Sequence, residues 1–248
     1  MWLLLHGFTG SPRSWNRVVA CAELEPAPLV PFLAGHGRDW RGSDVESFEN
    51  EVTRLVSLAS SADRPRLLCG YSMGARVALG LLIRQPHLFD AAVLIGVHPG
   101  LLDEATRVER REVDAGRARL LRQKGVAAFV AAWEELQLFA SQRDLSPDLL
   151  ADQRDTRLGH DAEGLARALE VLGLAEMPDY RRAVPSLEVP ITLMTGSLDA
   201  KFSEIAARLA KQNAHVDVET VEGVGHNVLL EAPAAVAAAL NRVEEGVR

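Results

Sequence analysis

The sequence predicts an α/β chain with a mostly parallel sheet flanked by helices and a helical insertion. Three observations carry this reading. Short apolar runs of strand length alternate with helical patterns along residues 1–98 and again along 179–248, the signature of a parallel sheet. Ala91-Ala92-Val93-Leu94-Ile95 is apolar at every position, as a strand covered on both faces must be. Gly70-Tyr71-Ser72-Met73-Gly74 sets a G-x-S-x-G turn between the strand-like Arg66–Cys69 and the helix-like Ala75–Ile83. There the serine sits in a strained turn with its Oγ raised toward solvent, and the flanking glycines remove Cβ atoms that would clash. The competing reading is a plain tight turn.

Trp2 to Leu5 is a short apolar strand ending at His6-Gly7-Phe8-Thr9-Gly10, so the chain begins inside its sheet. Such a loop after a central strand lies beside the serine turn, where the Phe8 N–H, partnered by that of Met73, would form an oxyanion hole. A glycine turn joining strand to helix is the alternative. His6 reads as a structural hydrogen-bonder. Ser11-Pro12 starts a helix through Trp15 and Val18-Val19, with serine as N-cap and proline in the first turn. Leu29-Val30-Pro31 reads as a second strand, ending at a loop where His36 is explained as well by solvation as by function. Ser43 to Ala62 has helical spacing with one apolar face, and Pro65 stops it.

Residues 99–178 contain no convincing strand and read as a helical cap inserted into a core of 1–98 and 179–248; that length is too great for a simple loop. Val189 to Thr195 resumes the strands. A helix follows from Ser203, as N-cap, to about Lys211. Val216 to Val221 alternates as an edge strand, and Pro233 to Val243 closes as a helix.

The 248 residues form one structural domain with an insertion, and the apolar (48%) and charged (25%) fractions are those of a globular protein. A net charge of -7 argues against nucleic acid or anionic membranes as partners. Cys21 and Cys69 make no disulfide framework and no metal site. The apolar start lacks a basic leader, and no apolar run is long enough to span a bilayer. A cytoplasmic protein, monomeric or weakly homo-oligomeric, is expected.

Ser72, Asp199 and His226 follow in the order of an α/β-hydrolase triad, 127 and 27 positions apart. Each comes just after a strand, and parallel strands share one C-terminal edge, so the three can converge. The serine hydroxyl needs an imidazole to take its proton, and the carboxylate holds that imidazole in the right tautomer. His226 follows the last strand, whereas His87, His160 and His215 fall on expected surface segments. Asp103, after the Ala91–Ile95 strand, is the rival acid; Asp199 is preferred because its turn comes directly off a strand. Arg76 lies one helical turn beyond Ser72, roughly 6 Å along the axis, and is a candidate for the same pocket.

Leu5-His6-Gly7-Phe8-Thr9-Gly10, Gly70 to Arg76, Asp199-Ala200-Lys201-Phe202 and Gly225-His226-Asn227 closely resemble the 2-succinyl-6-hydroxy-2,4-cyclohexadiene-1-carboxylate synthase family of menaquinone biosynthesis. Trp133 and Leu138-Phe139-Ala140-Ser141 resemble that family's cap. The resemblance covers nearly the whole chain and implies an α/β-hydrolase fold turned to a lyase. Pyruvate would leave a cyclohexene precursor by proton abstraction and 2,5-elimination, without metal or organic cofactor. Ser72, with His226 and Asp199, would be the base, and the oxyanion hole would steady enolate character on the succinyl carbonyl.

A substrate with several carboxylates calls for guanidinium groups at the site. Besides Arg76, the resemblance nominates Arg157 and one of Arg110 and Arg111; a solvated helix face is the alternative for each. Trp133 would pack on the substrate ring or serve the cap core, and Tyr71 would hydrogen-bond the ligand or simply pack. Two departures from the family pattern, Ala75 and Leu229-Leu230-Glu231, leave room for a serine esterase or carbon–carbon-bond hydrolase. A catalytically silent receptor is the third reading.

Overall fold

The structure, a computed structural model, describes residues 1–42 and 45–248. Strand β1 (Trp2–Leu5) leads into a 3-10 turn (Pro12–Trp15) and helix α1 (Asn16–Cys21). The Ser11 hydroxyl accepts from the Arg13 N–H and the Ser14 hydroxyl from the Ser11 N–H, a reciprocal cap that starts the turn. Helix α2 (Phe48–Ser60) begins later than the expected Ser43, because Ser47 caps it through the Asn50 N–H; Ser43 itself lies outside the described residues. Then come β2 (Leu67–Tyr71), α3 (Met73–Arg84) and β3 (Ala91–Ile95). Helices α4 (Glu104–Glu134), α5 (Pro147–Leu158) and α6 (Ala162–Leu172) follow, with a 3-10 segment (Gln137–Asp144) after α4. The chain ends with β4 (Ile191–Gly196), α7 (Ala200–Ala210), β5 (Val216–Val221), α8 (Val228–Glu231) and α9 (Pro233–Val247). Among the described residues no helix is long and apolar enough to cross a membrane.

The five strands are parallel and ordered β1-β2-β3-β4-β5. The expected strand at Leu29–Pro31 is reduced to a bridge between Leu29 and Leu3 on the outer edge of β1. Pro28 and Pro31 flank it, and neither has an N–H to extend a ladder. The chain therefore steps outward from β1 to Leu29 and then crosses back to place β2 on the other side. Strand order reverses between β1 and β2, which opens a crevice at their C-terminal ends, where ligands bind in open α/β sheets.

Alternate strand residues feed two cores. Leu3, Leu5, Leu68, Leu94 and Leu193 pack with α2, α3 and α7 on one face. Trp2, Leu4, Cys69, Val93 and Met194 pack with α1 and α9 on the other. That double burial is the reason the strand segments read as unbroken apolar runs. β5, at the edge, alternates buried and exposed positions only loosely. A third cluster joins Leu121, Phe129 and Val130 of α4 to Leu165 and Leu169 of α6, with Phe8 and Trp133 packed against it.

Candidate active site

The Ser72 backbone has φ 52 and ψ -107, a conformation that non-glycine residues avoid. Two features hold it there. The Ser72 N–H continues the sheet ladder to the Ile95 carbonyl at 2.8 Å, and its carbonyl accepts from the Arg76 N–H at 3.1 Å. The turn is so close to β1 that a Cβ on Gly74 would lie 2.2 Å from the Leu5 carbonyl oxygen. Only glycine lets the start of α3 rest on the end of β1, and this places Ser72 at the crevice.

His226 arrives from the loop after β5, and Asp199 from the turn after β4. The Asp199 Oδ2 lies 2.6 Å from His226 Nδ1, and His226 Nε2 lies 3.0 Å from the Ser72 Oγ. The carboxylate accepts the Nδ1 proton, which leaves Nε2 as the acceptor of the serine hydroxyl. The His226 and Asp199 side chains are 2% and 8% exposed, and Phe202 covers the imidazole with ring centroids 4.6 Å apart. Asp199, at the first position before α7, spends its side chain on His226 rather than capping the helix. The expected N-cap Ser203 instead lies inside α7, where its hydroxyl bonds Thr195 Oγ1 and the Gly196 carbonyl. The rival Asp103 is exposed and caps α4 through the Thr106 N–H at 2.8 Å.

Phe8 and Met73, the candidate oxyanion donors, both line the cavity above Ser72, and among the described residues neither N–H is taken by a backbone acceptor. Tyr71, Arg76, Arg110 and Trp133 line the same cavity, about 380 Å³ in volume. Arg76 is 7% exposed, and burial, with the Arg110 charge next, lowers the pKa of its guanidinium. Burial likewise raises that of the Tyr71 phenol.

The structure separates the paired arginines. Arg110 faces the cavity, while Arg111 is exposed and bridges Glu104 and Glu176, so its expected place at the site is corrected. Neighbours on a helix point about 100° apart, and α4 turns only one of them inward. Arg157 is also placed differently. It is buried behind Phe139, 5.1 Å from that ring, and paired with Glu134 at 3.0 Å. Together with Tyr71 and Phe139 it lines a neighbouring cavity of about 90 Å³.

Two histidine expectations change as well. His36 is 3% exposed rather than solvated, and His160 is 7% exposed rather than on the surface. His6 is structural, accepting from the Leu33 N–H and donating to the Gly7 carbonyl.

Sequence reasoning missed Arg117, Lys201, His98 and Glu231. Arg117, Lys201 and His98 line the cavity. Arg117 shares Asp114 with Arg110, at 2.9 and 2.7 Å, and its guanidinium lies 5.0 Å from the Trp133 ring. The spacing of Arg110, Asp114 and Arg117 on one helix was the available signal. Glu231 accepts from the N–H groups of Gly225 and Asn227, on either side of His226, at 2.8 and 3.2 Å. No local pattern announces that contact.

A parallel sheet carrying serine, acid and histidine just beyond the C-terminal ends of β2, β4 and β5 defines an α/β-hydrolase, and residues 2–239 match the alpha/beta hydrolase family model. The 2-succinyl-6-hydroxy-2,4-cyclohexadiene-1-carboxylate synthase of Enterobacter sp. (strain 638) is 35% identical over 246 residues, covering 98% of this chain and 91% of that one. The enzyme of the same name from Escherichia coli O1:K1 / APEC is 33% identical, covering 98% and 93%. The structure of MenH from S. aureus superposes with a TM-score of 0.90 at 28% identity, covering 99% of this chain and 93% of that one. The chain belongs to the 2-succinyl-6-hydroxy-2,4-cyclohexadiene-1-carboxylate synthase family.

Proposed function

We propose that this protein is a carbon–oxygen lyase of menaquinone biosynthesis. It eliminates pyruvate from 2-succinyl-5-enolpyruvyl-6-hydroxy-3-cyclohexene-1-carboxylate to leave 2-succinyl-6-hydroxy-2,4-cyclohexadiene-1-carboxylate. One observation carries the reading: the Ser72–His226–Asp199 chain opens into a cavity lined by Arg76, Arg110, Arg117 and Lys201, in a protein of net charge -7. Cations gathered at one cavity of an acidic protein suit a polycarboxylate ligand.

On this reading Asp199 orients His226, and Nε2 takes the Ser72 proton as Ser72 Oγ removes a ring proton from the substrate. The N–H groups of Phe8 and Met73 hold the negative charge that develops on the succinyl carbonyl. The electron pair then moves through the ring double bond and breaks the C–O bond to the enolpyruvyl group. The proton held on His226 passes to the departing enolate, which leaves as pyruvate, and the resting triad is restored. Arg76, Arg110 and Arg117 bind carboxylates, Trp133 packs on the ring, and Arg157 supports the wall made by Tyr71 and Phe139. Residues 99–178 act as the cap over a core of 1–98 and 179–248. A multiply charged substrate that does not cross a bilayer unaided fits a cytoplasmic enzyme.

The test is pyruvate release from the cyclohexene precursor, with loss of at least about a thousandfold in Ser72→Ala. A Ser72 acyl-enzyme with an activated ester, together with no pyruvate release, would move the protein to the serine hydrolases.

A further inference from the structure

We propose that His160, at the corner between α5 and α6, is a positioning residue that sets the direction of the Phe8 N–H through two linked peptide planes. The inference rests on the reading of Phe8 as an oxyanion donor.

Thr9 has φ 62, a left-handed conformation that a β-branched residue adopts only when its surroundings impose it. The turn closed by the Gly10 N–H and Gly7 carbonyl accommodates it, and His160 Nε2, 3.1 Å from the Thr9 carbonyl oxygen across 151 positions of chain, holds that peptide in place. The Gly37 N–H donates to His160 Nδ1 at 2.9 Å. That nitrogen is therefore unprotonated, and the ring proton sits on Nε2, directed at Thr9. Burial lowers the pKa of His160 and so favours the neutral ring.

The Thr9 carbonyl and the Gly10 N–H belong to one planar peptide and point in opposite directions. The Gly10 N–H donates to the Gly7 carbonyl at 3.0 Å. The Gly7 carbonyl in turn shares its peptide plane with the Phe8 N–H. Fixing Thr9 thus fixes Gly10, then Gly7, then the Phe8 donor, with His6 Nδ1 donating to the same Gly7 oxygen at 2.8 Å.

The clamp is itself anchored. The Trp40 indole N–H donates to Asp161 Oδ1 at 2.8 Å, beside His160. The Gly35 backbone lies so close to α6 that a Cβ there would stand 2.4 Å from the Gly164 carbonyl oxygen. Because His160 belongs to the segment between β3 and β4, the helical insertion takes part in shaping the oxyanion loop of the sheet.

Two substitutions test this. His160→Leu keeps bulk but neither polar atom, and is expected to lower kcat for pyruvate release about 10- to 100-fold, with KM within about twofold. His160→Gln, whose amide supplies one acceptor and one donor, is expected to recover most of the loss. In parallel, the backbone amide NMR signals of Phe8 and Gly10 should shift in the Leu variant and return in the Gln variant. If His160→Leu does not fold, His160→Asn, whose stem is too short to reach Gly37 and Thr9 together, takes its place with the same expected losses. Wild-type kcat in the Leu variant, a folded Gln variant no better than Leu, or unmoved Phe8 and Gly10 signals would each overturn the proposal. Failure of the lyase reading looks different: the wild-type protein would release no pyruvate, while the amide signals and the hydrolysis of p-nitrophenyl acetate would still report on His160.

Discussion

Arg76 Nη1 donates to the carbonyl oxygen of Leu172 at 2.9 Å, tying the helix after the serine turn to the last residue of α6. A cation at a helix C-terminus is favourable, and the bond also orients the guanidinium along the cavity wall. On the proposed lyase function, its other N–H groups would pair with a substrate carboxylate. Arg76→Ala is expected to raise KM about 10- to 100-fold, the worth of a charge-assisted hydrogen bond of about 1.5–3 kcal/mol. Arg110→Ala and Arg117→Ala should act in the same direction, whereas Arg111→Ala should leave steady-state kinetics unchanged. An Arg111 effect as large as that of Arg110 would contradict the assignment.

Glu231 brackets His226 by accepting from the N–H groups of Gly225 and Asn227. Removing it leaves two partly buried donors unpaired and lets the imidazole drift from Ser72. Glu231→Ala is expected to reduce kcat about tenfold at nearly constant KM, since misplacement of a reacting group is felt mainly in the chemical step. Glu231→Gln, which keeps an acceptor oxygen, should fall between the two. Equal changes in kcat for both variants would count against the bracket.

Gly74→Ala sets a methyl group against the Leu5 carbonyl, 2.2 Å from its ideal position. Backbone cannot yield there without parting α3 from β1. A loss of about 3 kcal/mol or more is expected, at the upper end of single substitutions, read from urea denaturation. Gly246→Ala, where among the described residues nothing beyond its own helix lies within 4 Å, is the control and should be nearly neutral.

Acid should weaken the fold through the buried imidazoles. Burial brings the pKa of His6 down to about 3, against 6.5 for the free side chain, and lowers those of His36 and His160 too. Between those values the unfolded chain binds more protons than the folded one, so stability rises with pH. For His6 this stability is complete above about pH 6.5 and is lost progressively as the pH falls toward 3. His36→Phe keeps a ring between His6 and His160, whose centroids lie 4.8 and 5.4 Å from that of His36, but cannot titrate. Urea midpoints measured from pH 7.5 to 4.5 should fall less steeply for the variant. Identical slopes would remove His36 from the account.

Much of the site was legible because its constraints are local. Gly70, Ser72 and Gly74 announce a strained strand-to-helix turn within five residues, and Asp199 and His226 follow at strand ends that an apolar run and an alternating edge pattern had marked. The contacts that escaped depend on how elements dock and loops fold back, which no residue pattern marks. Arg117 reaches the cavity because α4 docks with that face inward, Glu231 folds back on the loop just before its own short helix, and His160 meets Thr9 across 151 positions of chain.

By itself, then, the sequence determined the parallel α/β architecture, the serine turn and the chain order of the candidate triad, since periodicity and backbone sterics act over a few residues. Tertiary structure alone decided that Arg110 rather than Arg111 faces the cavity, that Arg157 stands behind Phe139, and that His36 and His160 are buried. Each of those outcomes depends on which helix face or loop is pressed against which neighbour, and packing between segments far apart in sequence leaves no periodic trace along the chain.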